Sequence, residues 1–184
     1  MAVAARIFGS LGLLLTLGLL PAAATAQDQP AAPTPSMVSR VRSGDARLTA
    51  LITEAATRSA TFKTLLGAIE ATDGIVFVEY GRCPRGVPAC LTWQVTVAGP
   101  YRLLFVLLDP RRSDLDLMAS AGHELRHALE VLDDPSLNST AAIHLFYRSS
   151  MSPESPRTVE TRAATDAGDA VFREVRRSRS AEQK

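Results

Sequence analysis

Two histidines and a glutamate stand at a spacing that could bind a metal ion. His123 and His127 are four residues apart, and Glu124 follows the first histidine directly, in the order H-E-x-x-H. On a helix, residues four apart lie on the same face, so both imidazole rings can direct a nitrogen at one cation. The glutamate can then reach a water molecule on that cation. The pattern indicates a zinc site with a general base; the alternative is a solvent-facing helix with two incidental histidines.

The residues around the motif predict a helix over 113–132 that packs on one side and carries the histidines on the other. Apolar side chains cluster opposite the histidines at helical spacing: Met118, Ala121, Leu125, Ala128 and Leu132. Polar side chains lie beside the histidines instead: Asp116, Ser120 and Glu130. The packed face would hold the helix in the core, and the other face would open on a polar site.

Glu160 is the leading candidate for the third protein ligand that a catalytic zinc ion needs. A helix is predicted over 156–176, and Glu160 falls within its apolar stripe, where a carboxylate requires a partner. A zinc ion would be such a partner. The alternatives are an ion pair with Arg126 or a favourable position in the first turn of the helix.

Two other side chains compete for the third ligand position. Asp133 follows His127 by six residues, but Glu130 stands where metzincin-type sites use a glycine to turn the chain. His144 lies in an otherwise apolar helical segment, which is more typical of a structural histidine. Both alternatives stay open on the sequence alone.

Hydrophobic periodicity predicts an α+β fold in which the motif helix follows a small sheet. Helical spacing runs over 43–71, with a break near Ser59. Three strands are predicted at 75–80, 91–97 and 101–108, and their short connections favour antiparallel pairing. Helices are predicted over 113–132, 137–149 and 156–176. The expected order is one or two helices, a three-stranded antiparallel sheet, the H-E-x-x-H helix and two further helices.

The first 26 residues have the features of a cleavable signal peptide: basic Arg6, a ten-residue apolar run and small residues ending at Ala26. A membrane anchor is the alternative, but the apolar run is about half of the roughly 20 residues that span a bilayer. No stable membrane span is therefore expected after cleavage. We expect a flexible leader over 27–42, a single domain over 43–176 and a disordered tail over 177–184.

Charge and cysteine content narrow the function classes. The chain has 20 basic and 19 acidic side chains, so no basic field favours nucleic-acid binding. Cys83 and Cys90 are predicted to form a disulfide, because a signal peptide implies an oxidising compartment. A two-cysteine metal site is the alternative, although the C-x-x-C spacing is missing. We therefore expect a secreted or periplasmic protein.

The two motifs together resemble a minimal gluzincin, a zinc metallopeptidase of the H-E-x-x-H…E type with a zincin-like fold. His123-Glu124-Leu125-Arg126-His127 matches the metal-binding helix, and Val159-Glu160-Thr161-Arg162-Ala163 resembles the downstream glutamate helix. The sequence H-E-L-x-H-A-L-E is also similar to a segment of uncharacterised secreted bacterial proteins. The resemblance covers about residues 60–176. Arg126 departs from the uncharged residues that are usual beside the histidines.

This resemblance implies a ligand set and a base. His123, His127 and Glu160 would hold Zn²⁺ and leave a fourth position open for water, while Glu124 would accept a proton from that water. The implied substrate is a peptide or protein.

The resemblance also implies where a substrate would lie. Peptides typically pair with an exposed strand edge in this fold, and the almost continuously apolar segment 101–108 suits a covered strand better than an edge. Tyr147 and Arg148 are candidate donors to the oxyanion of the transition state. For Tyr147, packing within a helix is the other explanation.

Three functions fit the sequence. The first is a secreted zinc-dependent hydrolase, a small metallopeptidase. The second is a non-catalytic cell-envelope binding or structural domain that keeps a zinc-peptidase-like fold, and the third is a structural zinc protein. Glu124 separates the first two because it is a base and not a ligand, whereas a structural site would have four protein ligands.

Overall fold

The computed structural model describes residues 39–150 and 160–184, which hold a five-stranded mixed sheet packed against α-helices. The predicted signal peptide and residues 27–38 of the predicted leader lie outside the described residues. The strands are β1 (Val41–Arg42), β2 (Gly74–Tyr80), β3 (Ala89–Leu91), β4 (Thr96–Ala98) and β5 (Tyr101–Leu108). The helices are α1 (Ala46–Arg58), α2 (Ala60–Glu70), α3 (Asp114–Leu132), α4 (Thr140–Ser150) and α5 (Arg162–Glu182), with a 3₁₀ turn at Pro84–Gly86.

The α+β class is confirmed, but the predicted antiparallel sheet is wrong for its central pair. β2 and β5 pair in parallel, from Gly74 opposite Arg102 to Tyr80 opposite Leu108. The chain leaves β2, crosses the cysteine loop and runs back through β3 and β4, which are both antiparallel to β5. The chain therefore enters β5 in the direction of β2. The strand predicted at 91–97 is accordingly two short strands with an irregular segment between them.

The predicted leader reaches further into the fold than its composition suggested. Val41 and Arg42 form β1, which pairs in parallel with Val76 and Phe77 of β2. The described end of the segment 27–42 is therefore part of the sheet. The backbone amide of Val76 also donates to the carbonyl of Arg40, 2.7 Å away.

The first two helices meet at Ser59, as the periodicity predicted. Ser59 ends α1 and caps α2, because its side chain accepts a hydrogen bond from the amide of Phe62. Glu174 of α5 accepts hydrogen bonds from the hydroxyls of Ser59 and Thr61 and from the Thr61 amide. The break between the helices is therefore held by α5.

The disordered tail predicted over 177–184 is wrong, because α5 continues to Glu182. Arg179 donates to Glu54 of α1, and Arg58 of α1 donates to both carboxylate oxygens of Glu182. These ion pairs hold the last turns of α5 against α1, so this segment is helical. Within the part of the chain that the structure describes, no helix combines the length and apolarity needed to cross a membrane.

Two glycines let α3 and α5 approach each other closely. A Cβ at Gly122 of α3 would lie 2.7 Å from Cγ2 of Val171, and one at Gly168 of α5 would lie 3.1 Å from Cβ of His123. Larger side chains would push the helices apart. The close crossing brings the start of α5 beside the H-E-x-x-H motif.

Arg102 anchors the C-terminal end of α3 to the sheet. Its side chain is buried in β5 and donates to the carbonyls of Val131 and Leu132, the last residues of α3. It also donates to the carbonyls of Asp134 and Leu137 and to the carboxylate of Asp73. One guanidinium group thus satisfies helix-end carbonyls that have no partner within the helix.

Replacing Arg102 by methionine is expected to lower the free energy of unfolding by about 3 to 5 kcal/mol, since removing one partner leaves the others buried and unpaired. Denaturant unfolding followed by circular dichroism measures the change. Arg112→Met is the control, because Arg112 is exposed. A loss below about 1 kcal/mol for Arg102→Met would show that the remaining groups find other partners.

Candidate metal centre

His123, His127 and Glu160 meet at one point, as the sequence predicted. Each offers one ligand atom, and these atoms lie within 4.8 Å of one another. His123 Nε2 is 3.1 Å from Glu160 Oε2, and the two imidazole centroids are 4.9 Å apart. Ligand atoms on a tetrahedral zinc ion are about 3.3 Å apart, given bonds of about 2.0 to 2.1 Å. Small side-chain movements would therefore close the group around a cation.

Glu160 reaches this group from a different position than the sequence indicated. It was predicted to lie within the apolar stripe of a helix, and this is wrong, because α5 begins at Arg162. Thr161 is the N-cap and accepts a hydrogen bond from the amide of Ala164. Glu160 thus lies just ahead of the helix, with 53% of its side chain exposed. Its carboxylate is held at the site by the placement of the helix start.

Glu124 lies on the same helix as the histidines and is buried against the sheet. Its Oε2 accepts a hydrogen bond from the amide of Leu91 in β3, at 2.7 Å. Burial raises the pKa of Glu124 above its usual range, although the charges of His123 and His127 and the Leu91 amide oppose this. A carboxylate with a raised pKa next to the cluster is suited to accept a proton near neutral pH.

The carboxylate of Glu130 forms a hydrogen bond with the His127 ring, a contact that was not predicted from the sequence. Glu130 Oε2 is 3.0 Å from His127 Nδ1, and Oε1 accepts a hydrogen bond of 2.7 Å from the Thr161 hydroxyl. Burial would raise the pKa of Glu130, but these two hydrogen bonds and the nearby charges lower it overall. The available signal was the spacing of three residues from His127 on one helix face.

The charges around the cluster favour a cation. Burial would lower the pKa of His123, but its hydrogen bond to Glu160 and the charges of Glu124, Glu160 and Glu130 raise it overall. The hydrogen bond from His123 lowers the pKa of Glu160. Two imidazoles with surrounding carboxylates are a donor set that suits Zn²⁺.

No protein-family model matches the chain, and neither a curated protein nor a solved structure does. The site residues themselves therefore carry the functional argument. They establish a group that could hold a metal ion, without showing which metal it is.

The cluster opens into a cleft of about 1000 Å³. One wall is the cysteine loop together with β3 and the residues after it, and the other wall is α4. Apolar side chains cover much of this surface: Val87, Leu91, Trp93, Leu107 and Tyr147. Trp93 joins the two walls, because its ring stacks on Tyr147 and meets His144 edge-on. A molecule that enters the cleft reaches the ligand group and Glu124 together.

The remaining candidates lie outside the ligand group. Tyr147 lines the cleft, but its hydroxyl is buried and lies 3.4 Å from the carbonyl of His127. This contact fits a packing role, and the donor role stays a prediction for both Tyr147 and Arg148. His144 packs on Trp93, and Asp133 is the exposed C-cap of α3. Neither belongs to the described metal-ligand cluster.

The predicted disulfide is confirmed. Cys83 and Cys90 are bonded, and the loop between them includes the 3₁₀ turn at Pro84–Gly86. Pro84, Val87 and Cys90 all line the cleft. The cross-link therefore constrains one wall of the candidate site.

Proposed function

We propose that this protein is a zinc-dependent hydrolase, a small metallopeptidase of the gluzincin type with a zincin-like fold. His123, His127 and Glu160 would bind Zn²⁺, and Glu124 would be the general base. The observation that carries the proposal is the convergence of three ligand atoms within 4.8 Å, beside a buried carboxylate and at an open cleft. An accidental pair of histidines would require neither the third ligand nor the cleft.

The positions of these side chains indicate the chemical role that each would have. A bound zinc ion supplies a Lewis acid and lowers the pKa of its water toward about 7. Glu124 would take the water proton on a carboxylate oxygen and pass it to the leaving amine, so that water and a peptide become a carboxylate and an amine. The Leu91 amide fixes this carboxylate on the cleft side of α3.

The edge of β3 offers a place for an extended peptide. The Thr92 amide donates to the Phe105 carbonyl of β5, and the amide of Asp109, the residue directly after β5, donates to the Pro88 carbonyl. Because backbone direction alternates along a strand, the amide and carbonyl groups of Ala89 and Leu91 point away from β5. The Leu91 amide already donates to Glu124, so a substrate would pair with the other groups of this edge. A substrate added along this edge would lie in the cleft beside the ligand group. The apolar walls favour substrates with apolar side chains next to the scissile bond.

An oxidising compartment agrees with the disulfide. Disulfides persist in secreted and periplasmic proteins and are rare in proteins of reducing compartments. The bond between Cys83 and Cys90 therefore supports the proposed export of the protein.

The number of ligands favours catalysis over a purely structural metal. The described cluster has three protein ligands, which is the number in catalytic zinc sites, whereas structural sites have four. A non-catalytic domain with the same fold would keep the metal but perform no hydrolysis. Peptide hydrolysis by the zinc-loaded protein, compared with its Glu124→Gln variant, distinguishes these two functions.

A further inference from the structure

We propose that Glu130 is a positioning residue that joins the second metal ligand to the segment carrying the third. This inference rests on the proposed metal site and adds a residue to it. Glu130 lies in α3, and only 12% of its side chain is exposed. Its two carboxylate oxygens have different hydrogen-bond partners, and Arg126 Nε lies 3.9 Å from Oε1 as well.

The first contact orients the ring of His127 and selects its tautomer. An ionised carboxylate can only accept hydrogen bonds, so Nδ1 of His127 must carry the proton that it donates to Glu130 Oε2. The lone pair of the neutral ring is then on Nε2, the nitrogen available to a cation. The same hydrogen bond fixes the rotation of the ring.

The second contact holds the start of α5. The Thr161 hydroxyl donates to Glu130 Oε1, while its oxygen accepts from the amide of Ala164 as the N-cap. Thr161 follows Glu160 directly. Glu130 therefore fixes the backbone one residue from the third ligand, and the rest of α5 packs against α3 around Gly122 and Gly168.

The two contacts make one bridge between elements that are far apart in the sequence. Movement of the α5 start away from α3 would release Thr161 and carry Glu160 away from the histidines. With the bridge intact, the second and third ligands keep their separation before a cation arrives. Preorganised ligands bind a metal more tightly than ligands that must be ordered on binding.

The test is zinc affinity, measured by competition with a chromophoric chelator for a set of matched variants. Glu130→Ala should weaken binding about 10- to 100-fold, the range for lost partners of metal-bound histidines. Glu130→Gln keeps an acceptor for His127 and should lose less than about 10-fold. Thr165→Val is the control, because among the described residues the exposed Thr165 hydroxyl donates only to the Thr161 carbonyl and not to Glu130.

A double-mutant cycle tests the bridge itself. Thr161→Val should weaken zinc binding, Thr161→Ser should restore it, and the Glu130→Ala, Thr161→Val double variant should match Glu130→Ala within about 2-fold. The absorption spectrum of bound Co²⁺ should change in Glu130→Ala, which a loss of stability alone would not cause. If Glu130→Ala does not fold, Glu130→Gln and the Thr161 variants carry the same comparison.

The outcomes separate this inference from the proposed function. Zinc affinity of Glu130→Ala within about 3-fold of the wild type, or additive losses in the cycle, would overturn the bridge while leaving the metal site intact. A wild-type protein that binds no zinc would overturn both.

Discussion

Glu124→Gln is expected to abolish peptide hydrolysis while the protein keeps its zinc. Glutamine has nearly the same shape, and its side-chain oxygen can still accept the hydrogen bond from the Leu91 amide. It cannot accept a proton from water, so the loss should reach about 10²- to 10⁴-fold in kcat, the usual contribution of a general base. Zinc affinity should stay within about 3-fold of the wild type, because Glu124 is not one of the proposed ligands.

Hydrolysis of a fluorogenic peptide library by the zinc-loaded proteins measures this effect. Glu79→Gln is the matched control, because Glu79 is an exposed glutamate on β2, outside the cleft lining. Activity of Glu124→Gln within about 10-fold of the wild type would exclude Glu124 as the base. A wild type that binds zinc but hydrolyses none of the library peptides would favour the non-catalytic domain.

Glu160→Ala is expected to weaken zinc binding by more than about 100-fold. Loss of a residue that hydrogen-bonds to a metal ligand weakens metal binding about 10- to 100-fold. Loss of the ligand itself should weaken binding more. The Glu160 carboxylate lies 3.1 Å from His123 Nε2, and no other carboxylate belongs to the described cluster. Two histidines alone would then hold the ion.

Chelator competition with matched variants measures this second effect. Asp166→Ala is the control, since Asp166 is an exposed acid on α5 that pairs with Arg162. Asp133→Ala and His144→Ala should also bind zinc like the wild type, because both residues lie outside the cluster. If Asp133→Ala or His144→Ala lost the metal while Glu160→Ala kept it, the third ligand would be misassigned.

Short sequence patterns predicted the parts of the fold that depend on interactions between residues close together in the sequence. The packed face of α3, the break at Ser59 and the disulfide between Cys83 and Cys90 each follow from residues close together in the sequence. The direction of strand pairing does not follow from such residues. Short connections suggested antiparallel strands, but β3 and β4 form the return path that makes β2 and β5 parallel.

The candidate site also has one part that was predictable from nearby residues and one part that was not. The face shared by His123 and His127 could be predicted from helical geometry, and the position of Glu160 ahead of α5 could not. Its placement depends on the Thr161 cap and on the bridge from Glu130, which are contacts between separate elements. Arg102 was missed for a similar reason, since its partners lie beyond the strand that contains it.

The most direct test of the central claim is the zinc content of the purified wild-type protein, measured by mass spectrometry of the intact chain and by elemental analysis. The three converging ligand atoms predict one zinc ion per chain, retained at micromolar free metal and lost in His127→Ala. A wild-type protein that binds no zinc under these conditions would contradict the account.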